Sequence, residues 1–366
     1  MAQELKYKEV FGKILQSKLP FVLYKKPEEE EVYGLIQKDA NMWFVQDFDK
    51  DKGFVFAPYS NSEEKVLLKS DAKLTFDMGE LDITAPGYKG MNVNGLFAAD
   101  IVEPNSEELR EAHILKVKQG IEAVKSGELD KVVITREELW GAKNIDFSAI
   151  FKDLVNAYDD AFVYIWFHPL VGMWIGATPE MLIEKDDEFI HSTAVAGTRS
   201  IEDNGDWGHK EVQEQKLVSD YVVDVFEKNL LSGVREFGPE TIKAGKLEHL
   251  KTDVTGELSY SSNINYLVNS LHPTPAVCGL PLAKAKDFIK DKEGYNRTFY
   301  SGFLGELNLD NHTEFYVNLR CLQVVKEGVK FFVGGGITAE SKAEDEWEET
   351  VKKAKTLKDI VLSHLS

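Results

Sequence analysis

Residues 161–179 read AFVYIWFHPLVGMWIGATP, a run of 19 positions without Asp, Glu, Lys or Arg. That length would suit a membrane-spanning helix. However, His168-Pro169, Gly172 and Gly176 interrupt the run, and aromatic and β-branched residues predominate on both sides of them. Such residues favour strands, whereas Pro and Gly mark turns. The run therefore predicts a buried β-hairpin and not a membrane span.

The segments outside this hairpin predict a mixture of strands and helices. Short apolar runs predict further strands at 20–24, 43–45, 53–56, 67–68, 131–135, 181–185, 315–325 and 329–333. Helical periodicity, with Ser106 as the cap of the first helix, predicts helices at 106–126, 147–158, 210–232 and 341–365. Because strand hairpins outnumber regular β–α–β alternation, we predict an α+β fold with large antiparallel sheets.

The composition narrows the class of partner. Among 366 residues, 62 are acidic and 43 are basic, so the formal net charge is −19. This excess of acid argues against binding to nucleic acid or to an anionic membrane surface. The two cysteines, Cys278 and Cys321, show no zinc-ligand spacing and cannot supply a disulfide framework. The first residues contain no apolar signal segment, so we expect a cytoplasmic protein.

The last predicted helix carries charged residues close to its apolar stripe. The apolar stripe itself contains Trp347 and Ala354, while Glu346, Glu349 and Lys353 share a neighbouring stripe that Ile360 continues. One interpretation is an ordinary surface ion pair at i,i+4 spacing. The other is that these side chains point partly inward, where they must be paired or bound to a cation.

Four further features are ambiguous when each is taken alone. Gly334-Gly335-Gly336 follows a strand predicted to end at Val333, which suits either a structural turn or close backbone approach to an anion. Glu180 lies at a break between two apolar strands, Lys131 begins a strand that we expect to be buried, and Glu214 lies on the amphipathic helix at 210–232. The sequence contains neither the HExxH motif of a zinc protease nor the Gly-x-Ser-x-Gly motif of a hydrolase.

Taken together, the sequence resembles the chorismate-utilising enzymes, which include isochorismate synthase, salicylate synthase and the large subunits of anthranilate and aminodeoxychorismate synthase. The motifs that carry this resemblance occur in the family's order between about residues 106 and 360. They are Asp130-Lys-Val-Val-Ile-Thr-Arg136, Gly176-Ala-Thr-Pro-Glu-Met-Leu182, Ala196-Gly-Thr-Arg199, Lys210-x-x-x-Glu214, Glu248-His-Leu250, Leu271-His-Pro-Thr-Pro-Ala-Val-Cys-Gly279, Tyr300-Ser-Gly-Phe-Leu-Gly305, Asn318-Leu-Arg320, Gly334-Gly-Gly-Ile337 and Glu346-Trp-Glu-Glu-Thr350.

The resemblance implies a chorismate-binding fold of the anthranilate synthase component I type, with antiparallel sheets stacked at the centre and helices outside. We expect residues 1–104 to form a divergent β-rich part of the same globule, and 105–366 to form the catalytic domain. The resemblance also implies a Mg²⁺ site, to which Glu214 and Glu349 match as ligands, with Glu346 as a third carboxylate. The residues that match substrate-binding positions are Gly197, Thr198, His249, Ala276, Tyr300, Arg320, Gly334 and Lys353.

Within the family, the nucleophile separates the members. Lys131 matches the lysine that activates water, and Glu180 matches the acid that protonates the departing C4 hydroxyl. Ala276 is typical of the isochorismate-forming type, and Ala196 stands where aminodeoxychorismate synthase has a lysine. We therefore expect Mg²⁺-dependent isochorismate formation from chorismate, for menaquinone or siderophore synthesis. The alternatives are a salicylate synthase, an anthranilate synthase component I and a non-catalytic chorismate-binding subunit.

The net charge of −19 is compatible with a dicarboxylate substrate only if the local field of the pocket is positive. Mg²⁺ together with Arg320, Lys353 and Lys131 would provide that field. The family resemblance implies a monomer or a weak homodimer.

Overall fold

The structure is a computed structural model that describes residues 7–77, 106–202, 205–229, 231–244 and 247–365. Its helices are α1 (Tyr7–Ser17), α2 (Ser106–Lys125), α3 (Phe147–Ala157), α4 (His209–Lys228), α5 (Ile264–Leu271), α6 (Leu282–Lys292) and α7 (Ala343–Leu362). Its strands are β1 (Phe21–Lys25), β2 (Glu31–Ile36), β3 (Gly53–Ala57), β4 (Val66–Leu68), β5 (Ala72–Asp77), β6 (Lys131–Gly141), β7 (Phe162–His168), β8 (Gly172–Thr178), β9 (Met181–Asp186), β10 (Phe189–Ser200), β11 (Ser232–Ala244), β12 (Leu247–Glu257), β13 (Gly279–Leu280), β14 (Phe303–Leu309), β15 (His312–Val317), β16 (Cys321–Val325) and β17 (Gly328–Ile337).

Two antiparallel sheets form the centre of the molecule. Sheet A has the strand order β13-β6-β17-β16-β8-β7-β1-β2-β5, and sheet B has the order β11-β12-β10-β9-β15-β14-β3-β4. Aromatic side chains from both sheets pack between them, and the rings of Phe56 and Trp166 lie 4.5 Å apart. Helices α1, α3 and α7 cover the outer face of sheet A, and α4 and α5 cover that of sheet B. This confirms the predicted α+β fold.

The charge-free run at 161–179 forms the hairpin of β7 and β8, with Trp166 opposite Trp174. Alternate side chains of β7 point to opposite faces of sheet A. Val163 and Ile165 pack in the core under the helices, whereas Tyr164 and Trp166 pack between the two sheets. Both faces are therefore buried, which explains why no charged residue occurs in the run. None of the described helices has the length and apolar character needed to cross a membrane.

Two of the short links that carry the chain from one sheet to the other lie side by side. Strand β8 belongs to sheet A and β9 to sheet B, so the chain crosses between the sheets at Pro179-Glu180. It crosses back between β15 and β16, where Arg320 has a φ of 45°. The links are hydrogen-bonded together, because Val317 N–H donates to Glu180 O (2.8 Å) and Ala177 N–H donates to Arg320 O (3.1 Å). The prediction of one strand over 315–325 is wrong, since its two halves lie in different sheets.

Two other predictions from the sequence are also wrong. The triple glycine does not end its strand, because β17 continues to Ile337 and Gly334 and Gly336 pair with β6. Glycine weakens the interior of a strand, but it is tolerated there when hydrogen bonds to a neighbouring strand hold the backbone. The first described element is α1, which the sequence did not predict, and the strand expected at 43–45 is a single bridge from Phe44 to Val66. The helices predicted at 106–126, 147–158, 210–232 and 341–365 occur with shifts of at most a few residues at their ends.

The N-terminal strands join both sheets. Strand β1 lies between β7 and β2 in sheet A, and β3 pairs with β14 in sheet B. The boundary predicted at 104/105 lies outside the described residues, so the division into 1–104 and 105–366 stays a prediction.

Candidate active site

A cavity opens between the sheets beside the two hydrogen-bonded links. Its lining includes ten of the thirteen site residues predicted from the sequence, namely Glu180, Gly197, Thr198, Glu214, His249, Ala276, Tyr300, Arg320, Gly334 and Lys353. Lys131 contacts the cavity wall through Glu214, and Glu346 and Glu349 lie next to the cavity on α7. The structure thus brings together residues from across the sequence, from Lys131 to Lys353.

Glu180 is buried, with 4 % of its surface exposed. Burial raises the pKa of its carboxyl to about 8, although the positive charges of Lys131, Lys353 and Arg320 act to lower it. The carboxyl therefore carries a proton at neutral pH. Glu180 is held in place because its backbone lies in the link between β8 and β9.

Arg320 and His249 form a second polar pair in the cavity. An arginine side chain only donates, so the 2.8 Å contact from Arg320 Nη2 makes His249 Nε2 an acceptor. The hydrogen of the imidazole is therefore on Nδ1, which donates to Gly197 O at 3.0 Å. Burial and the nearby Arg320 lower the pKa of His249 to about 3, so the ring is neutral and orients the guanidinium.

Gly197 creates the acceptor for this histidine. It has a φ of +72° and lies where the register of β10 against β12 shifts between Ala196 and Thr198. Glycine adopts such a φ without strain, and the resulting β-bulge locally interrupts the ladder. Thr198 lies opposite His249, and its Oγ1 is 3.2 Å from Nδ1.

Three carboxylates gather over the glycine segment of β17. A Cβ atom built on Gly335 would lie 3.3 Å from Glu346 Oε2 and 3.5 Å from Glu349 Oε1, and one built on Gly336 would collide with the Glu214 carboxylate. The glycines are therefore needed for their lack of side chains, which gives α4 and α7 room to bring their carboxylates against the strand.

A lysine accompanies each of these carboxylates. The Nζ–Oε1 distances are 2.9 Å from Lys131 to Glu214, 2.6 Å from Lys210 to Glu346 and 2.8 Å from Lys353 to Glu349. Burial alone would raise the pKa of Glu214, but the charge and hydrogen bond of Lys131 hold it below its usual value.

The second oxygen of Glu346, Oε2, is buried and has no hydrogen-bond partner among the residues that the structure describes. Burial and the neighbouring Glu349 raise the pKa of Glu346 to about 7, against the opposing charge of Lys210. Within the described residues, no group of three or more His, Cys, Asp and Glu side chains is already arranged as a metal site.

The two interpretations of the last helix, a surface ion pair and inward-pointing charged side chains, each describe part of the structure. Glu349 and Lys353 do form an i,i+4 ion pair, but their side chains are only 23 % and 21 % exposed. Glu346 instead points inward, is 1 % exposed and pairs with Lys210 of α4. The stripe is therefore a partly buried face directed at β17.

Sequence reasoning assigned no role to several residues of the site. Lys210 was the most accessible to prediction, because it lies four residues before Glu214 and thus on the same helical face. The apolar lining includes Val133, Val195 and Phe332, and the ring of Tyr300 stacks on Phe332 at 5.1 Å. No sequence signal separates these apolar residues from ordinary core residues.

The two stacked sheets enclose a protonated acid, a buried lysine and further cationic side chains. Such a site is typical of an enzyme that acts on a small anionic substrate. A family model described as chorismate binding enzyme matches residues 97–362. The chain belongs to this family.

Individual relatives agree with this assignment. The isochorismate synthase MenF of Haemophilus influenzae is 26 % identical over 379 residues, covering 93 % of this chain and 86 % of the relative. The isochorismate synthase MenF of Bacillus subtilis is 30 % identical over 284 residues, covering 71 % of this chain and 60 % of that relative. The solved structure of MenF, the menaquinone-specific isochorismate synthase from Escherichia coli, has a TM-score of 0.73 at 19 % identity, with 93 % of this chain and 88 % of that chain covered. At that identity the structural similarity shows the fold.

Proposed function

We propose that the protein is an isochorismate synthase, which converts chorismate to isochorismate. The family and the names of its relatives support this reaction class. The observation that carries the proposal is Glu180, a buried carboxyl with a pKa of about 8 in a cavity otherwise rich in cationic groups. An acid that stays protonated at neutral pH is what the departure of a hydroxyl group requires.

The substrate is a dicarboxylate, and the cavity offers separate groups for its charges. Arg320, oriented by His249, and the buried Tyr300 would bind the enolpyruvyl carboxylate. Lys353 and the backbone of Gly334 lie together on another wall, where Lys353 Nζ is 3.3 Å from Gly334 O. Gly197, Thr198 and Ala276 complete the surface around the ring.

Two proton transfers accompany the exchange of hydroxyl groups. Lys131 is the proposed general base, which takes the proton of a water molecule as the oxygen of that water bonds to C2. Both double bonds of the ring shift, the C4–O bond breaks, and Glu180 donates its proton so that the C4 hydroxyl leaves as water. A base and an acid with different environments in one cavity suit these two roles.

We propose Mg²⁺ as the cofactor, held by Glu214, Glu346 and Glu349. Magnesium prefers oxygen ligands, and the buried Oε2 of Glu346 lacks a hydrogen-bond partner in the described part of the chain. When bound, the ion would supply positive charge against a carboxylate of the substrate.

The decisive experiment incubates the purified protein with chorismate and MgCl₂ and separates the products by chromatography. We expect isochorismate as the only product, and a loss of at least about 100-fold in turnover for Lys131→Ala, as for removal of a general base. Lys125→Ala, on the exposed surface of α2, is the control. Salicylate with pyruvate, or anthranilate when ammonium is added, would assign the alternative functions instead. No product, or a Lys131→Ala variant within twofold of wild type, would contradict the proposal.

The remaining expectations concern the cellular setting. We propose a cytoplasmic enzyme that works as a monomer or weak homodimer in menaquinone or siderophore biosynthesis. Names of relatives cover both pathways, since MenF from Escherichia coli is menaquinone-specific and a relative from Vibrio cholerae is vibriobactin-specific.

A further inference from the structure

The ion pair of Glu293 and Arg297 lies outside the reaction described above, yet it is among the most buried in the molecule. Both side chains are 1 % exposed. Glu293 follows α6 directly, and Arg297 lies four residues later in the loop that leads to Tyr300. Taking two charges out of water is costly, and a buried pair gains little stability over apolar residues of similar volume. Its presence therefore calls for a reason other than stability.

The pair occupies the outer edge of the strand that carries Lys131. Within the described residues, the strand beside this edge in sheet A is β13, which has two residues and pairs with Lys131 and Val132. Cys278 O then accepts from Val133 N–H at 2.8 Å, and the neighbouring chain turns away. In an antiparallel ladder the next groups on this edge are Val133 O and Thr135 N–H.

Glu293 and Arg297 supply the partners that a longer strand would have supplied. Arg297 Nη2 donates to Val133 O at 2.9 Å, and Glu293 Oε1 accepts from Thr135 N–H at 2.9 Å and from Thr135 Oγ1 at 2.6 Å. Buried backbone groups need such partners. Because the carboxylate only accepts and the guanidinium only donates, the pair satisfies both kinds of backbone group at once.

Arg297 also connects this strand to a second wall of the cavity. Its Nη1 donates to Val277 O at 2.7 Å, while its Nε donates to Glu293 Oε2 at 2.7 Å. Val133 and Val277 both line the cavity. One rigid guanidinium therefore fixes the distance between the strand of Lys131 and the segment of Ala276 and Val277.

We propose that Glu293 and Arg297 are positioning residues, which place Lys131 and the Ala276–Val277 wall correctly relative to the substrate. Lys131 is two residues from Val133 on the same strand, so both side chains point to the same face. This role rests on the proposed function of Lys131. A displacement of a base by about 1 Å can lower turnover about 100-fold, although the groups that bind the carboxylates of the substrate are untouched.

The test compares Arg297→Lys and the double variant Glu293→Gln/Arg297→Met with Glu306→Gln. Lysine keeps the charge but cannot hold two carbonyls and Glu293 with a planar fork. The double variant removes both charges, so that no uncompensated buried ion is left to unfold the protein. Glu306 is a matched control, because it is also a buried carboxylate paired with a lysine, Lys26 at 2.8 Å, and it does not line the cavity.

In steady-state assays below the melting temperature of each variant, we expect kcat to fall about 10- to 100-fold in both Arg297 variants, with KM within about threefold of wild type. Glu306→Gln should keep kcat within twofold. Hydrogen–deuterium exchange should be at least tenfold faster in the peptide that covers 129–137 for the Arg297 variants, and unchanged there for Glu306→Gln.

Folded Arg297 variants with kcat within twofold of wild type would overturn the positioning role, as would an equal loss of kcat in Glu306→Gln. The exchange measurement requires no turnover, so it tests the placement of the Lys131 strand even if the wild-type protein forms no isochorismate. In that case the proposed function fails, and unchanged exchange over 129–137 would separately overturn this inference.

Discussion

At the residue scale, the pKa of Glu180 is raised because the effect of burial exceeds the effect of the neighbouring positive charges. Three cationic side chains act to keep its carboxylate ionised, and the burial of the group acts in the opposite direction with the larger effect. The same burial keeps His249 neutral, so the cavity holds an uncharged acid and an uncharged imidazole next to permanently charged Arg320. Neighbouring groups in one cavity therefore have distinct protonation states.

The first prediction concerns Glu180→Gln. The amide cannot donate a proton, so turnover should fall by at least about 100-fold, as for loss of a general acid. In the wild type, kcat/KM should decline as the pH rises through about 8, because Glu180 then loses its proton. The measurement is the pH–rate profile between pH 6 and 9.5, with the exposed Glu188→Gln as the control.

The stability of this variant gives an independent check. A carboxyl whose pKa is raised on folding destabilises the folded state as the pH rises from the ordinary glutamate value, near 4.5, to about 8. The melting temperature of Glu180→Gln relative to wild type should therefore increase between pH 5 and pH 9. An unchanged difference over this range would show that Glu180 is ionised throughout.

The sequence marked Glu180 as a site residue but could not predict its protonation state. The position of Glu180 at a break between two apolar strands marked it as unusual, and the family motifs marked its neighbours. Its protonation state depends on burial and on the charges of Lys131, Lys353 and Arg320, which are far from it in sequence or on the opposite link. Such a sum of distant charges is visible only once the chain has folded.

At the element scale, the candidate active site depends on the two links between the sheets and on the glycine segment of β17, which has no side chains. The sequence predicted the hairpin β7–β8 because both strands are rich in aromatic and β-branched residues and a turn with Pro and Gly separates them. It did not predict that β15 and β16 belong to different sheets, because the link contains only two polar residues, Asn318 and Arg320, and neither Pro nor Gly marks the crossing. The glycine segment was ambiguous for a similar reason, since the carboxylates that need its bare face come from α4 and α7.

The second prediction concerns this bare face. Gly336→Ala should lower turnover at least tenfold, because the added methyl group overlaps the Glu214 carboxylate and lies 2.9 Å from Lys131 Cε. The effect is of the size expected when a catalytic group is displaced. Gly205→Ala is the control, since a Cβ there meets nothing within 4 Å. Full activity in a folded Gly336→Ala variant would contradict the placement of Glu214.

The third prediction concerns a row of charged side chains across four adjacent strands of sheet B. His191 lies 3.2 Å from Glu184 and 2.7 Å from Asp253, and Glu184 lies 3.2 Å from His312. Lys251 flanks Asp253 at 3.0 Å. Burial alone would lower the pKa of His191, but Glu184 and Asp253 hold it above its usual value.

Because the folded state raises this pKa, protonated His191 stabilises the protein below the ordinary histidine range, and the effect is lost as the pH rises through the raised value. His191→Gln should therefore lower the melting temperature more at pH 5.5 than at pH 9. His209→Gln, at an exposed histidine with a single acidic partner, should show little difference. An equal loss for His191→Gln at both pH values would exclude the charged form of His191 as the stabilising species.

At the scale of the whole molecule, the net charge of −19 describes the surface better than the cavity. In and beside the cavity, Lys131, Lys210 and Lys353 balance three carboxylates, and Arg320 adds a positive charge. The composition correctly indicated an acidic protein. It could not indicate the sign of one enclosed region, because that sign depends on which few side chains point inward.

The fourth prediction concerns binding of the proposed cofactor to the whole protein. A ligand that binds only the folded state increases the free energy of unfolding, by about 2.7 kcal/mol when its concentration is 100 times its dissociation constant. The melting temperature rises as a result. Addition of MgCl₂ should raise the melting temperature by a few degrees, and excess EDTA should reverse the change. Glu349→Gln should abolish the response, whereas Glu348→Gln, on the exposed face of the same helix, should keep it. An identical shift from NaCl at the same ionic strength would contradict a specific site.

The two links also have a consequence for how the molecule assembles. Each joins strands that are neighbours in sequence but belong to different sheets, so we expect the two sheets to form together. The sheets are therefore coupled in folding, and the contacts between the links join residues distant in sequence, which slows the search for the native state. The groups at the links acquire their surroundings only after both sheets have closed. Recovery of activity during refolding should thus coincide with the final cooperative step, and no half-assembled intermediate should turn over substrate.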